Sequence, residues 1–317
     1  MSITTRTRTA TTTRITTRTI VAALGAAGVV LAGVAAPASA SFNHTRIKEM
    51  RGGYTVVTHD VGNQSFPVQY VPGDVRRHEA DTDVLYYRID LTELPTGFAA
   101  DEVEVAIESA VATFNAVPCS KTHLVRVDTD PGADLGFAQH LTGLGGSGDP
   151  LPDITFAGWV PTEFFQQIGQ FPANGVTFPI VFDGDESSLV PGYDALATPG
   201  DYSDVDRDGN ADTYAMEVYF NSDSTFTTDP VAGDSLFAID LESIALHELG
   251  HALGMDHFGR TEIILDENFE FVDIQVNPNS VSLMNTNNYL TTRELSGSDV
   301  ASFCEIYANW GTPGRGH

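Results

Sequence analysis

Three histidines and one glutamate stand at a spacing that suits a single metal ion: His247-Glu248-Leu249-Gly250-His251-Ala252-Leu253-Gly254-Met255-Asp256-His257. On a helix, residues four apart lie one above the other on the same face. His247 and His251 can therefore reach one ion, with Glu248 one step round beside it. Gly254 allows a positive-φ exit from the helix, and that turn brings His257 back as a third nitrogen ligand. Three nitrogens leave the fourth tetrahedral position open for water, the arrangement of catalytic rather than structural zinc. By composition an H-E-x-x-H match in a chain of this length has odds of about one in a hundred, and requiring the later Gly and His lowers that by about three further orders of magnitude.

A second constellation has harder ligands. Asp204-Val205-Asp206-Arg207-Asp208-Gly209-Asn210-Ala211-Asp212 sets carboxylates at loop positions 1, 3, 5 and 9, with Gly at position 6. Those are oxygen positions of a calcium loop, and the glycine permits its sharp turn. Asn210 stands where a carbonyl ligand is expected, and Glu217 is available from the following strand. Position 12 holds Ala215 rather than a bidentate Glu, so this is not a full EF-hand. The competing reading is a solvated acidic turn. His44, His59, His78, His123, His140 and His317 have no ligand-like spacing and read as ordinary imidazoles.

The elements that must position these groups have an α+β pattern. The active-site helix is expected over Leu241 to Leu253 from an Asp240 N-cap, with Leu246, Leu249 and Leu253 as a core stripe away from the histidines. Val103, Ile107, Val111 and Phe114 recur at helical spacing. Strand patterns appear at Val84 to Asp90, His123 to Val127, Ile154 to Ala157, Val176 to Phe182 and Tyr214 to Phe220. Two β-branched runs, Glu262 to Leu265 and Phe269 to Val276, suggest a hairpin. Residues 41–83 carry strand-like pieces at Tyr54 to Thr58 and Val68 to Val71, and read either as a removed pro-segment or as an N-terminal elaboration.

The H-E-x-x-H-x-x-G-x-x-H run resembles the signature of the metzincin metalloproteases, whose second mark is a methionine turn. Asn279-Ser280-Val281-Ser282-Leu283-Met284-Asn285 is the candidate turn. Leu295 to Phe303, with Ser296 as N-cap and Asp299 three residues on, is similar to the last helix of matrixin catalytic domains. Val84 to Asp90 followed by Asp101 to Asn115 is similar to their opening strand and helix. The resemblance departs in four places. Phe258 stands where matrixins usually have Ser, and Met284 follows His257 by 27 residues, a long gap. Tyr289 is five residues past Met284, so no tyrosine ligand is indicated, and no Pro-Arg-Cys-Gly segment precedes the domain.

The resemblance implies a metzincin-like catalytic domain over residues 84–317, with a twisted mixed β-sheet, an active-site helix, a Met-turn at Met284 and a C-terminal helix. It also implies zinc on His247, His251 and His257, Glu248 as general base, and endopeptidase activity on protein or peptide substrates. Substrate is expected along a sheet edge near Tyr214 to Phe220, with calcium pinning adjacent loops. Two other classes stay open: a calcium-dependent extracellular binding protein that keeps a non-catalytic zinc site, and a zinc hydrolase of a non-peptide bond. Glu248 speaks against the first, since a site that only binds metal has no use for that carboxylate.

Composition adds location. Residues 1–40 hold Arg6, Arg8, Arg14 and Arg18, then an apolar run from Ile20 to Ala36 and the small-x-small triplet Ala38-Ser39-Ala40, the pattern of a cleaved secretory signal peptide. Cleavage removes four of the 16 basic residues and none of the 43 acidic ones, moving the net charge from −27 to −31. Such a polyanion argues against nucleic acid and anionic membranes as partners. The expectation is a secreted monomer without stable membrane association. Lys48 and Lys121 are the sole lysines, a composition shared by salt-adapted proteins and by generic acidic exoproteins. In an oxidising compartment Cys119 and Cys304, the only cysteines, are expected to form a disulfide.

Overall fold

The computed structural model describes residues 47–51, 54–61, 68–77, 84–130, 132–168, 173–192, 201–233, 238–266, 271–277, 282–285, 291–308 and 310. The signal-peptide expectation for residues 1–40 falls outside them. In chain order the elements begin with β1 (Ile47–Arg51), β2 (Tyr54–Val61), β3 (Val68–Gln69) and β4 (Val84–Ile89). Next come α1 (Ala100–Asn115), β5 (His123–Arg126), α2 (Phe137–Thr142), β6 (Ile154–Val160), α3 (Thr162–Gln167), β7 (Gly175–Phe182) and β8 (Leu189–Pro191). The chain continues through β9 (Ala211–Asn221), β10 (Phe226–Thr227), α4 (Pro230–Gly233) and β11 (Ile239–Asp240). It closes with α5 (Leu241–Ala252), β12 (Gly259–Leu265), β13 (Phe271–Asn277) and α6 (Gly297–Tyr307).

The main sheet runs β5-β4-β6-β9-β7-β8, and β3 pairs the start of β9. β5, β4, β6 and β9 are parallel, whereas β7 runs antiparallel to β9, so the sheet is mixed as expected. Strand alternation sorts the two faces. Ile154, Phe156, Met216, Val218 and Phe220 join the core with Val103, Ile107 and Phe114 of α1 and Leu246 and Leu249 of α5. Val176, Phe178, Ile180, Ala215 and Tyr219 point the other way, to Ala138 of α2 and Phe164 and Phe165 of α3. These short helices gave no clear signal in the sequence because each is barely two turns long.

One expectation is overturned here. Tyr214 to Phe220 lies within β9, which is hydrogen-bonded to β6 on one side and to β7 on the other. Its near-continuous apolar burial is that of a central strand, so it offers no edge for substrate. The edge is β7: β8 covers its Ile180–Phe182 end, and Gly175 to Pro179 has no outer strand partner among the described residues.

A separate antiparallel sheet, β1-β2-β12-β13, joins the N-terminal segment to the hairpin that follows the histidine motif. β2 pairs the whole of β12, from Gly259 opposite Val61 to Leu265 opposite Thr55. Within the long interval between His257 and Met284, β12 and β13 pair antiparallel, from Arg260 opposite Asn277 to Leu265 opposite Phe271. Val68–Arg77 also belongs to the main body. Tyr70 donates its hydroxyl proton to the Asp153 carbonyl, and buried Arg77 pairs with the Asp153 carboxylate. Cys119, beyond α1, and Cys304 in α6 form the expected disulfide, tying residues 185 apart in sequence. Phe114 of α1 packs on Phe303 of α6 at a ring separation of 5.3 Å beside it.

Candidate active site

Asp240 caps α5, its carboxylate accepting from the Ser243 amide at 2.9 Å, and Arg293 pairs with the same carboxylate. The other end closes at Gly254, φ +80°, with the Gly254 amide on the His251 carbonyl and the Met255 amide on the Gly250 carbonyl, both at 2.9 Å. This reciprocal pair is the Schellman stop that a left-handed glycine permits. The Asp256 carboxylate then accepts from the His257 amide at 2.7 Å and fixes the return of the third histidine.

The three imidazoles converge. His257 Nε2 lies 3.1 Å from His247 Nε2 and 3.0 Å from His251 Nε2. His247 Nδ1 donates to the Leu283 carbonyl and His251 Nδ1 to the Met255 carbonyl, each at 2.9 Å. Because a carbonyl only accepts, both Nδ1 atoms carry the proton, and both Nε2 lone pairs face His257. One proton on His257 can satisfy only one of them; a cation satisfies all three. Zinc–nitrogen bonds of about 2.0–2.1 Å in a tetrahedron place ligand atoms about 3.3 Å apart, close to the spacing present here. The chemistry suits the same ion. Burial holds His247 below its ordinary pKa, takes His251 down to about 3, and with its two neighbours puts His257 well below the usual range. All three are neutral at pH 7, the state in which an imidazole can bind a metal.

Glu248, adjacent on α5, is buried and has no cationic side-chain partner among the described residues. Its environment comes from the edge strand. Gly175 and Thr177, two apart on β7, share the face that meets α5. The Thr177 hydroxyl lies 2.9 Å from Glu248 Oε2 and 2.8 Å from the Glu248 carbonyl. A β-carbon at Gly175 would fall 2.8 Å from Glu248 Cγ and Oε1, so the missing side chain leaves room for the carboxylate. Burial pushes the Glu248 carboxyl up to about 8, while the Thr177 hydrogen bond pulls the other way. Neither β7 residue stood out in the sequence, since the pairing is between residues more than 70 apart.

Met284 lies beneath the helix: a β-carbon at Gly250 would overlap its sulfur. The Met284 carbonyl accepts from the Phe258 amide at 2.6 Å, linking the turn to the residue after His257. Asp299, fully buried at the start of α6, accepts from Ser282 Oγ, the Leu283 amide and the Met284 amide while capping its own helix through Ser296. That carboxylate thereby sets the Leu283 carbonyl against His247. The sequence marked Asp299 only as part of a helix cap.

The acidic loop is a different arrangement. Carboxylate oxygens of Asp204, Asp206 and Asp208 lie within 4.8 Å of one another. Gly209 has φ +87°, and the Asp208 and Gly209 amides donate to Asp204 at 3.1 and 3.2 Å. Asn210 donates its amide to Asp208 at 2.8 Å. Burial, then the charge of Asp208, raises Asp206 to about 6, and Asp208 is raised mainly by burial. Asp212 is turned inward to Arg76, 2.7 Å away, and to Ser203, and its carboxylate also accepts from the Val205 amide. Glu217 faces the opposite side of the sheet, where it accepts from the Phe137 and Ala138 amides at the start of α2. Among the described residues the histidine triad and the three aspartates are the two groups close enough to share an ion.

A mixed sheet, a helix that carries two of three converging histidines and ends in a glycine stop, and a methionine lodged below it fit a metzincin-like domain. Residues 180–288 match the matrixin family model, that of the M10 peptidases, a span running from the end of β7 through the acidic loop, α5 and Met284. The match supports a matrixin-like metzincin catalytic domain in this part of the chain, and matrixins are zinc-dependent peptidases. No curated protein matches the chain closely enough to serve as a relative.

Proposed function

We propose that the protein is a secreted zinc endopeptidase in which His247, His251 and His257 hold the metal and Glu248 is the general base. The observation that carries this reading is the meeting of three Nε2 atoms beside a buried glutamate. Zinc bound there supplies a Lewis acid for the scissile carbonyl and makes water acidic at neutral pH. Glu248 Oε1, the oxygen not engaged by Thr177, takes the water's proton and returns it to the leaving amine. The free edge of β7 from Gly175 to Pro179 receives the substrate as an added strand, its main-chain groups presenting the peptide to Glu248. Met284 supplies an apolar floor under the imidazoles.

Calcium at Asp204, Asp206 and Asp208 is part of the same reading, as a structural ion supported by the alternating carboxylates and the left-handed glycine. Asp212 braces the loop through Arg76. Export is supported by the N-terminal pattern and by the disulfide. Residues 47–77 stay with the mature domain, since their loss would unpair β12 directly after His257. N-terminal sequencing of secreted protein checks this; a mature terminus beyond Arg77 contradicts it. For the central assignment, purified full-length protein should bind about one zinc per chain and hydrolyse casein until 1,10-phenanthroline removes the metal. Undiminished hydrolysis by metal-free protein overturns the assignment.

A further inference from the structure

We propose that Thr177 is a positioning residue for Glu248, with Gly175 as its steric counterpart, so that the edge strand aims the general base. The inference rests on the proposed role of Glu248 and adds residues outside the span that matches the family. A glutamate side chain has three rotatable bonds, and proton transfer needs one carboxylate oxygen held toward the histidine site. Among the described residues no charged side chain holds Glu248, and its carboxylate accepts from the Thr177 hydroxyl at 2.9 Å to Oε2. Thr177 is itself only 4% exposed, and two oxygens of Glu248 compete for its hydroxyl proton, the main-chain carbonyl at 2.8 Å and Oε2 at 2.9 Å. In the ionised state that a general base requires, the carboxylate is the stronger acceptor for the single hydroxyl proton. Donation to Oε2 therefore leaves Oε1 as the free base. Gly175, on the same face of β7, removes the one β-carbon that would collide with Oε1 and Cγ.

The test compares Thr177→Val, which keeps the shape and loses the hydroxyl, with Thr177→Ser, which keeps the hydroxyl. In full-length zinc-loaded protein, Thr177→Val should lower kcat on a peptide substrate by about 10–100-fold with KM little changed, the scale of a misplaced catalytic group. Zinc content should stay at wild-type level, and Thr177→Ser should restore most of kcat. Gly175→Ala should lower kcat in the same way by displacing the carboxylate, and it remains informative if the valine variant does not fold. In a Glu248→Gln background, Thr177→Val should have little further effect. Wild-type kcat in Thr177→Val, or equal losses in the Val and Ser variants with zinc retained, overturns the positioning role alone. Full activity of zinc-loaded Glu248→Gln overturns the general-base reading and this proposal with it.

Discussion

The histidine triad and the aspartate loop both begin as short spacing patterns, yet the fold treats them differently. The triad is assembled from a helix and the chain returning from it, and its rings are locked by carbonyls of Met255 and Leu283. The loop is one local segment at the surface whose carboxylates are partly occupied by their own backbone amides and by Asn210. Burial acts in opposite senses on the two. It favours neutral imidazoles, which are ready ligands, but it raises Asp206 and Asp208, which must be ionised to bind. The triad is pre-formed for a metal, whereas the loop stores repulsion that an ion would relieve.

The comparison is broken most directly at the triad. His251→Ala should lose zinc and peptidase activity together, as metal analysis beside a peptide assay will show. Glu248→Ala should keep its zinc and lose about 10²–10⁴-fold in rate, the usual worth of general acid–base catalysis. Cleavage near the wild-type rate by that variant would remove Glu248 from the mechanism, whereas a wild type that cleaves no peptide would favour a metal site without turnover.

Stability changes should be smaller and should separate the regions. Removing the disulfide with Cys119→Ser and Cys304→Ser should cost ~3–5 kcal/mol in denaturant unfolding, because 185 residues are released from the closed loop. Asp299→Ala leaves the Leu283 and Met284 amides without their buried acceptor and should cost about 3 kcal/mol. It should also weaken zinc binding by freeing the Leu283 carbonyl from its place against His247. An unchanged zinc affinity would show that the turn needs no such anchor.

The smallest effect belongs to the loop. Calcium at a hundredfold excess over its dissociation constant should stabilise the fold by about 2.7 kcal/mol, and Asp206→Asn with Asp208→Asn should abolish that gain without altering zinc content. Asp212→Asn should destabilise the protein with or without calcium, since in either state Arg76 loses one of its two close carboxylate partners and keeps Asp74. A calcium response that survives the double variant would make the loop a solvated turn.

Local patterns were legible wherever one short segment carries its own geometry. Asp240 at the start of α5, Gly254 at its end, Ser296 before α6 and the strands from Val84 onward all fall where periodicity and capping placed them. Partners distant in sequence were not legible. β9 carries the strand pattern of Tyr214 to Phe220, but no local rule says whether a strand is central or at an edge; that depends on which chains arrive on either side. The same holds for Asp212, whose spacing fits a cation loop until Arg76 is brought to it.

What the sequence determined by itself is the chemistry available: three imidazoles and a carboxylate at helical spacing, a glycine stop and two cysteines able to pair. Those follow from backbone geometry within one element, which is the same in any fold. Tertiary structure alone decided how that chemistry is aimed. Thr177 and Gly175 reach Glu248 from a strand, Asp299 holds the turn under the histidines from another helix, and the N-terminal segment becomes the neighbour of the hairpin leaving the site. These are contacts between residues far apart in the chain, set by how buried faces and strand edges find partners, and no spacing within a motif encodes them.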